Sequence, residues 1–298
     1  MLVYMKTSRA ARHSRQSIAK IALLTSAMVL CSCVDLGKVS EFAKASQDVG
    51  KTFKSITDEG SASCLRANSY ILPGQTPLDC EFYPKVAPGL LKINDSLFAY
   101  ISGLGKLASA DPSKVADGLK DVTTELKQAD PKISQAAQDQ AKAATGLATA
   151  LAKVLTSEYR QHELAKVIEE ANGDAEHPGP IKRVTAFLAD YAAEKYAQGL
   201  ETEQTLETNY CDEEAEKYKL SEPLALTLLK RKCTADNARI MQKKDAIAQY
   251  RKALSAIATA HQKLYESRNA WTAQQLVTAL GPEILQLTDA ASSMKTAF

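Results

Sequence analysis

The chain has 298 residues, enough for one or two domains, with 37 basic and 35 acidic side chains and a formal charge of +2. That balance gives no footing to nucleic-acid binding, which needs a concentrated basic surface. Aromatic residues are 6% of the chain and 13 glycines stand against 47 alanines, a composition that favours helices over an extensive sheet; an apolar share of 45% is enough to fold around a core.

Residues 1–20 carry Lys6, Arg9, Arg12, Arg15 and Lys20 and no acid, and Ile21 to Leu30 carry no charge. A basic stretch followed by a short apolar run is the pattern of a secretory signal. As a helix, that apolar run rises about 15 Å, roughly half the hydrocarbon thickness, so it is too short for a permanent span. The run closes on Leu30-Cys31-Ser32-Cys33. This resembles the lipobox of bacterial lipoproteins, in which a Leu stands three places before the modified Cys and a small residue just before it; here Cys31 stands where Ala, Ser or Thr is commoner. The resemblance covers only the first 33 residues. It implies that residues 1–32 are cleaved and that Cys33 becomes the first mature residue, with diacylglycerol on its thiol and an acyl chain such as palmitate on its amino group. Two or three chains hold a protein at a membrane without spanning it. Val34 stands where the family's inner-membrane retention rule has Asp, so the resemblance implies the periplasmic leaflet of the outer membrane over the inner membrane. An ordinary secretory signal with incidental cysteines is the alternative.

Cleavage there removes five of the 37 basic residues and no acid, leaving 32 bases against 35 acids and a charge of −3. Besides Cys33, the mature chain keeps Cys64, Cys80, Cys211 and Cys233. Four cysteines in an oxidising compartment read as two disulfides. Of the three connectivities, Cys64–Cys80 with Cys211–Cys233 closes short loops and leaves the long helical segments free to pack. Zinc is the rival, but no pair has the spacing of metal knuckles and no His lies beside any of the four.

In the body, Leu36, Val39, Phe42, Ala43, Val49, Phe53 and Ile56 recur at helical steps, with Gly60 marking the expected end. Residues 60–89 concentrate proline and glycine and predict a loop pinned by Cys64 and Cys80. Helical periodicity resumes from Leu90 to Leu107. Ala110-Asp111-Pro112 and Ala129-Asp130-Pro131 each place a capping Asp before a Pro at the first helical position. They predict a short helix over 112–128 and a long one from Pro131 to Asn172-Gly173. After a reversal through Pro178-Gly179-Pro180, a partner helix is expected from Ile181 to Tyr210. The Cys211–Cys233 segment, with Pro223, predicts a crossover between helix ends. A further helix carries Ile240 to Leu264, and a short one closes the chain after a break at Gly281-Pro282. The expected fold is therefore all-α: one bundle domain over 33–298, elongated, with long antiparallel coiled-coil-like helices and one disulfide-pinned loop.

Candidate chemistry is sparse. Glu158 and His162 share a helical face and could offer two metal ligands, but a surface or boundary His beside an i,i+4 acid is the favoured reading, and no metal or cofactor is implied. His177 falls in the Pro/Gly loop, and His261 lies on an apolar stripe as a boundary packing residue. Gly103-Leu104-Gly105-Lys106 lacks the strand and further glycines of a phosphate loop. Tyr191, Tyr196, Tyr210, Tyr218, Tyr250 and Tyr265 read as core or boundary residues first and as a ligand-stacking surface second. The leading expectation is a non-enzymatic binding or scaffold bundle of the cell envelope, lipid-anchored and facing the periplasm, with an envelope protein as partner. The alternative is a helical membrane-active protein, similar in style to α-pore-forming toxins, that stores Leu90–Leu107 or the uncharged run Asn269–Pro282 as its hairpin. A metal- or ligand-binding bundle is third.

Overall fold

The computed structural model describes residues 36–109, 142–147, 160–174, 176–219, 222–269 and 271–298. Leu36–Phe298 forms one compact unit. The lipobox-like segment with Cys33, both Ala-Asp-Pro caps, the helix expected over 112–128 and Glu158 lie outside the described residues, as does the side chain of His162.

Among the described residues seven α-helices are bounded at both ends: α1 (Gly37–Ser69), α2 (Phe82–Ala108), α3 (Arg160–Asn172), α4 (Pro180–Ala186), α5 (Glu194–Tyr218), α6 (Pro223–Glu266) and α7 (Ala273–Ala297). A π-helical stretch, Phe187–Ala193, joins α4 to α5 without interrupting the rod. Residues 142–147 are also helical. Among the described residues there is no strand; Gly173 and Pro178 pair only as an isolated bridge. The fold is an all-α bundle, as composition and periodicity predict. With 44 residues, α6 runs about 66 Å and forms the spine.

The helices alternate in direction. Gly50 O accepts from Asn94 Nδ2, which sets α2 antiparallel to α1, and Lys243 pairs with Glu59 while Tyr250 stacks on Phe53, which sets α6 antiparallel to α1. Between them lies a core of Phe42, Val49, Phe53 and Ile56 from α1, Leu97, Tyr100, Ile101 and Leu104 from α2, and Ile247, Tyr250, Leu254 and Ile257 from α6. These positions are the apolar stripes of the sequence, so the 3.6-residue period fixes which face of each helix meets the others.

Three expected boundaries move. The first helix does not stop at Gly60 but runs to Ser69, and the loop expected over 60–89 shrinks to the link between Ser69 and Phe82. Gly60 is small for a packing reason: a Cβ there would collide with the Tyr196 and Tyr83 rings, which stack against each other at 5.8 Å. Pro84 sits in the first turn of α2, where no backbone donor is needed. The link is pinned by Cys64–Cys80 and by a two-way bond between the Asn68 amide and the Leu78 backbone, 3.0 and 2.7 Å. Nor is there a crossover between Cys211 and Cys233: α5 continues to Tyr218 and α6 begins at Pro223, so the disulfide joins the interiors of two helices. Finally, α7 passes through Gly281-Pro282 without a break, because Leu276, Leu280, Leu287, Ala290 and Met294 bury on one face on either side of the proline.

The reversal after α3 is as expected. Gly173 has φ +67°, Gly179 N donates to Asn172 O at 3.0 Å, and each glycine stands where a Cβ would strike the backbone of the other strand of the loop.

Candidate functional site

The feature with no packing explanation is a projecting arm made by the end of α5 and the start of α6. On α5 the last fully buried residue is Glu207, and on α6 the first is Ile240. Beyond them the two helices pack on each other and, through Tyr210, Lys232 and Asp236, on Tyr70 just past the end of α1. Cys211–Cys233 clamps this arm across its middle. At its tip Leu224 is 73% exposed and Leu228 57%, the pair lying one turn apart on one face. Arg231 continues that face and is exposed, as is Glu222 just before the helix; neither makes an ion pair or side-chain hydrogen bond among the described residues. Two exposed leucines one turn apart at the end of the arm make it a candidate contact surface.

The arm is rooted by a charged cluster. Glu203, fully buried on α5, accepts from Arg66 Nε (2.6 Å) on α1 and from Arg239 (3.2 Å) on α6. Glu59 takes Arg66 and Lys243. Burial disfavours the charged Arg66 guanidinium, but its bonds to Glu203 and Glu59 outweigh this and hold it firmly protonated. One turn outward, Asp236 accepts from the Tyr70 hydroxyl (2.9 Å), Lys232 (2.5 Å) and Arg239 (2.9 Å). Burial alone would raise the Asp236 carboxyl; the Lys232 and Tyr70 bonds reverse that and keep it below the usual range. The Tyr70 hydroxyl is pushed up, by burial first and by Asp236 second, and its ring packs on Tyr210 at 5.7 Å. The arm therefore leaves the bundle at a fixed angle, set by ion pairs on three helices.

Glu207, Cys211 and Cys233 place a carboxylate and two sulfurs within 4.8 Å of one another. The two sulfurs are bonded to each other, however, so neither is a thiolate ligand, and burial raises the Glu207 carboxyl first of all. This chemistry is structural. Both disulfides pair as the short-loop connectivity predicts.

Of the other sequence candidates, His261 is a core residue, more deeply set than a boundary position. Tyr100 OH lies 2.7 Å from Nε2 and Asn172 Oδ1 3.4 Å from Nδ1. A neutral ring that donates from Nδ1 to the amide oxygen and accepts at Nε2 from the phenol gives every atom a role. Burial, with Lys182 adding to it, pushes His261 down to about 3. Sealed from solvent, it cannot relay protons. His177 is exposed beside Asp174, as its loop position predicts. Tyr196 and Tyr250 are core residues and Tyr191, Tyr210, Tyr218 and Tyr265 half-buried, so no stacking surface assembles from the six. Gly103 and Gly105 are buried within α2, Gly105 against Ala43. Sequence reading misses the buried pair Asn94–Tyr250, in which the phenol donates to Oδ1 at 2.8 Å; an Asn at a helical core position, 94 between Ile93 and Leu97, is the only signal for it. It also misses the arm, whose mark is a run of leucines, 224 to 229, at both hydrophobic and solvent-facing positions of one helix.

No protein-family model matches this chain, and comparisons with curated proteins and with solved structures find no match.

Proposed function

We propose that this chain is a lipid-anchored protein of the bacterial cell envelope, facing the periplasm, that works without catalysis as a binding or scaffold bundle. The observation that carries the reading is the run of basic residues, uncharged segment and Leu30-Cys31-Ser32-Cys33, followed within a few residues by a helical unit that starts at Leu36 and bears two disulfides. Disulfides in both of the available short-loop pairings suit an oxidising compartment. The binding half of the proposal rests on the arm. A lipid on Cys33 tethers the chain four residues ahead of Gly37, and the root of the arm lies at the other end of α1, about 50 Å along that helix.

The outer membrane is the favoured site on the strength of Val34. For the membrane-active alternative, Leu90, Ile93, Leu97, Ile101, Leu104 and Leu107 are buried core, as a stored hairpin would be, and no described helix is long and apolar enough to cross a membrane. Changing Cys33→Ser should move the protein from the membrane fraction to the soluble periplasmic fraction, with its disulfides intact. A variant that stays in the membrane fraction would remove the anchor from the account.

A further inference from the structure

Clamping the arm does not exhaust what Cys211–Cys233 can do, because the two disulfides stand in different surroundings. Cys64 is buried, and Cys80 Sγ lies against the Asn68 amide and the Leu78 carbonyl, 3.4 and 3.7 Å away. Cys211 and Cys233 are half-buried and line a groove of about 370 Å³, among whose walls are Thr208, Asp212, Thr234 and Ala238, all exposed and none large. Glu207 lines the same groove, only 2% exposed, with Oε1 3.2 Å from Cys211 Sγ. A disulfide sulfur carries no hydrogen, so a hydrogen bond across that gap needs the proton on the carboxyl. No N–H or O–H donor among the described residues bonds to the Glu207 carboxyl, whereas Glu203 and Glu59 in the neighbouring cluster each take two cationic groups. Burial favours the protonated form of Glu207 first of all; Asp236 of α6 and Glu203 of α5 add to it, and Lys232 and Arg239 of α6 oppose it. A buried acid aimed at a sulfur, in a groove that a thiol can enter, is the apparatus of disulfide cleavage.

We propose that Cys211–Cys233 is a thiol–disulfide exchange site, opened by a dithiol carried on another protein, with Glu207 delivering a proton to the Cys211 sulfur as the bond breaks. Attack on one sulfur of a disulfide expels the other as a thiolate. The carboxyl stands at Cys211, so Cys211 is the leaving sulfur and Cys233 the one attacked. A thiolate of the reductant bonds to Cys233 Sγ, the S–S electron pair leaves on Cys211 Sγ, and that sulfur takes the Glu207 proton. The second thiol of the reductant then loses its proton to water, attacks its own partner sulfur in the mixed disulfide and expels Cys233. Water returns a proton to Cys233 and to Glu207. Two electrons pass: the disulfide of this chain becomes two thiols, and the dithiol becomes a disulfide. Opening removes the covalent tie between α5 and α6 and leaves the arm held by the ion cluster at its root; the reverse reaction restores the clamp. This goes beyond the reading of the chain as an anchored binding bundle and needs no lipid on Cys33.

The test uses the folded full-length chain with dithiothreitol as the dithiol, alkylation of free thiols at timed intervals, and mass spectrometry to map them. Cys211 and Cys233 should be labelled at least about tenfold faster than Cys64 and Cys80. Glu207→Gln keeps the shape of the side chain and lacks the proton, and should slow that labelling by about tenfold at acidic pH. The thiolate fraction of dithiothreitol is common to both proteins, so the ratio of parent to variant rate isolates Glu207; it should fall towards one as the pH rises and the carboxyl ionises. With glutathione, a monothiol, the trapped adduct should sit on Cys233 and the alkyl group on Cys211. Equal opening of the two disulfides, earlier opening of Cys64–Cys80, a Gln variant as fast as the parent or faster, a rate ratio indifferent to pH, or glutathione on Cys211 would each overturn the proposal. The comparison of the two disulfides within the parent stands without any variant, and the fraction in which the chain is found bears on the anchor alone.

Discussion

His261 makes the stability of this bundle sensitive to acid in a way that can be isolated. In the folded chain it is enclosed by Tyr100 from α2, Asn172 at the end of α3 and Lys182 from α4, with no carboxylate among these partners, and burial drives it to about 3 from an ordinary 6.5. Between pH 6.5 and about 3, the unfolded chain binds a proton at this position that the folded chain refuses. Stability therefore rises with pH across that window, is fully present above 6.5, and falls as the pH drops, by about 1.4 kcal/mol for each pH unit. From pH 7 to 4.5 the loss is about 3 kcal/mol, a large part of a typical folding free energy of about 5–15 kcal/mol. The assay is urea unfolding of the parent and of His261→Gln at several pH values between 4.5 and 8. Carboxylates such as Asp236 titrate equally in both proteins, so they cancel in the difference. The parent should lose ground to the variant steadily below pH 6. Parallel profiles over that range would show that the imidazole is hydrated in the native state, and the sealed network described above would be wrong.

Pro282 is exposed yet lies inside α7, where it removes one backbone bond to Thr278 O and crowds that carbonyl; Pro282→Ala should raise the urea midpoint, by up to about 3 kcal/mol in stability, and a lowered midpoint would mean that the proline shapes the helix to its neighbours. Glu203→Gln removes the buried carboxylate that Arg66 and Arg239 share, leaving Arg66 to Glu59 and Arg239 to Asp236, and should cost about 2 kcal/mol in the same measurement, whereas a cost within about 0.5 kcal/mol would show the cluster to be water-filled.

How much of this was legible in the chain depends on which force decides each element. The apolar stripes of α1, α2 and α6 are set by burial, and burial follows the 3.6-residue period, so Phe53, Leu97 and Tyr250 could be placed in the core from spacing alone. The misplaced boundaries all involve glycine or proline. Gly60 and Pro282 look like stops because each weakens an isolated helix by about 1–3 kcal/mol. In the bundle that cost is offset by tertiary contacts invisible along the sequence: the Tyr83 and Tyr196 rings that fill the space left by Gly60, and the buried row from Leu276 to Met294 that spans Pro282. Pro223 in sequence suggests a break in a crossover, yet it is the first residue of the 44-residue α6, where its missing donor costs nothing. The disulfides were legible because loop length ranks the pairings, but their role was not; only the structure shows that Cys211–Cys233 clamps two helices far beyond the core. The ion cluster at the root of the arm joins residues from Glu59 to Lys243, and no local pattern encodes contacts at that separation.

The central claim is that this helical bundle is carried on a lipid at Cys33, and mass spectrometry of the N-terminal peptide of the protein extracted from membranes tests it most directly. The account predicts that the chain begins at Cys33, that residues 1–32 are absent, and that this peptide carries the added mass of a diacylglyceryl group with or without a third acyl chain. A peptide that begins elsewhere, or that begins at Cys33 with a free thiol, would contradict it.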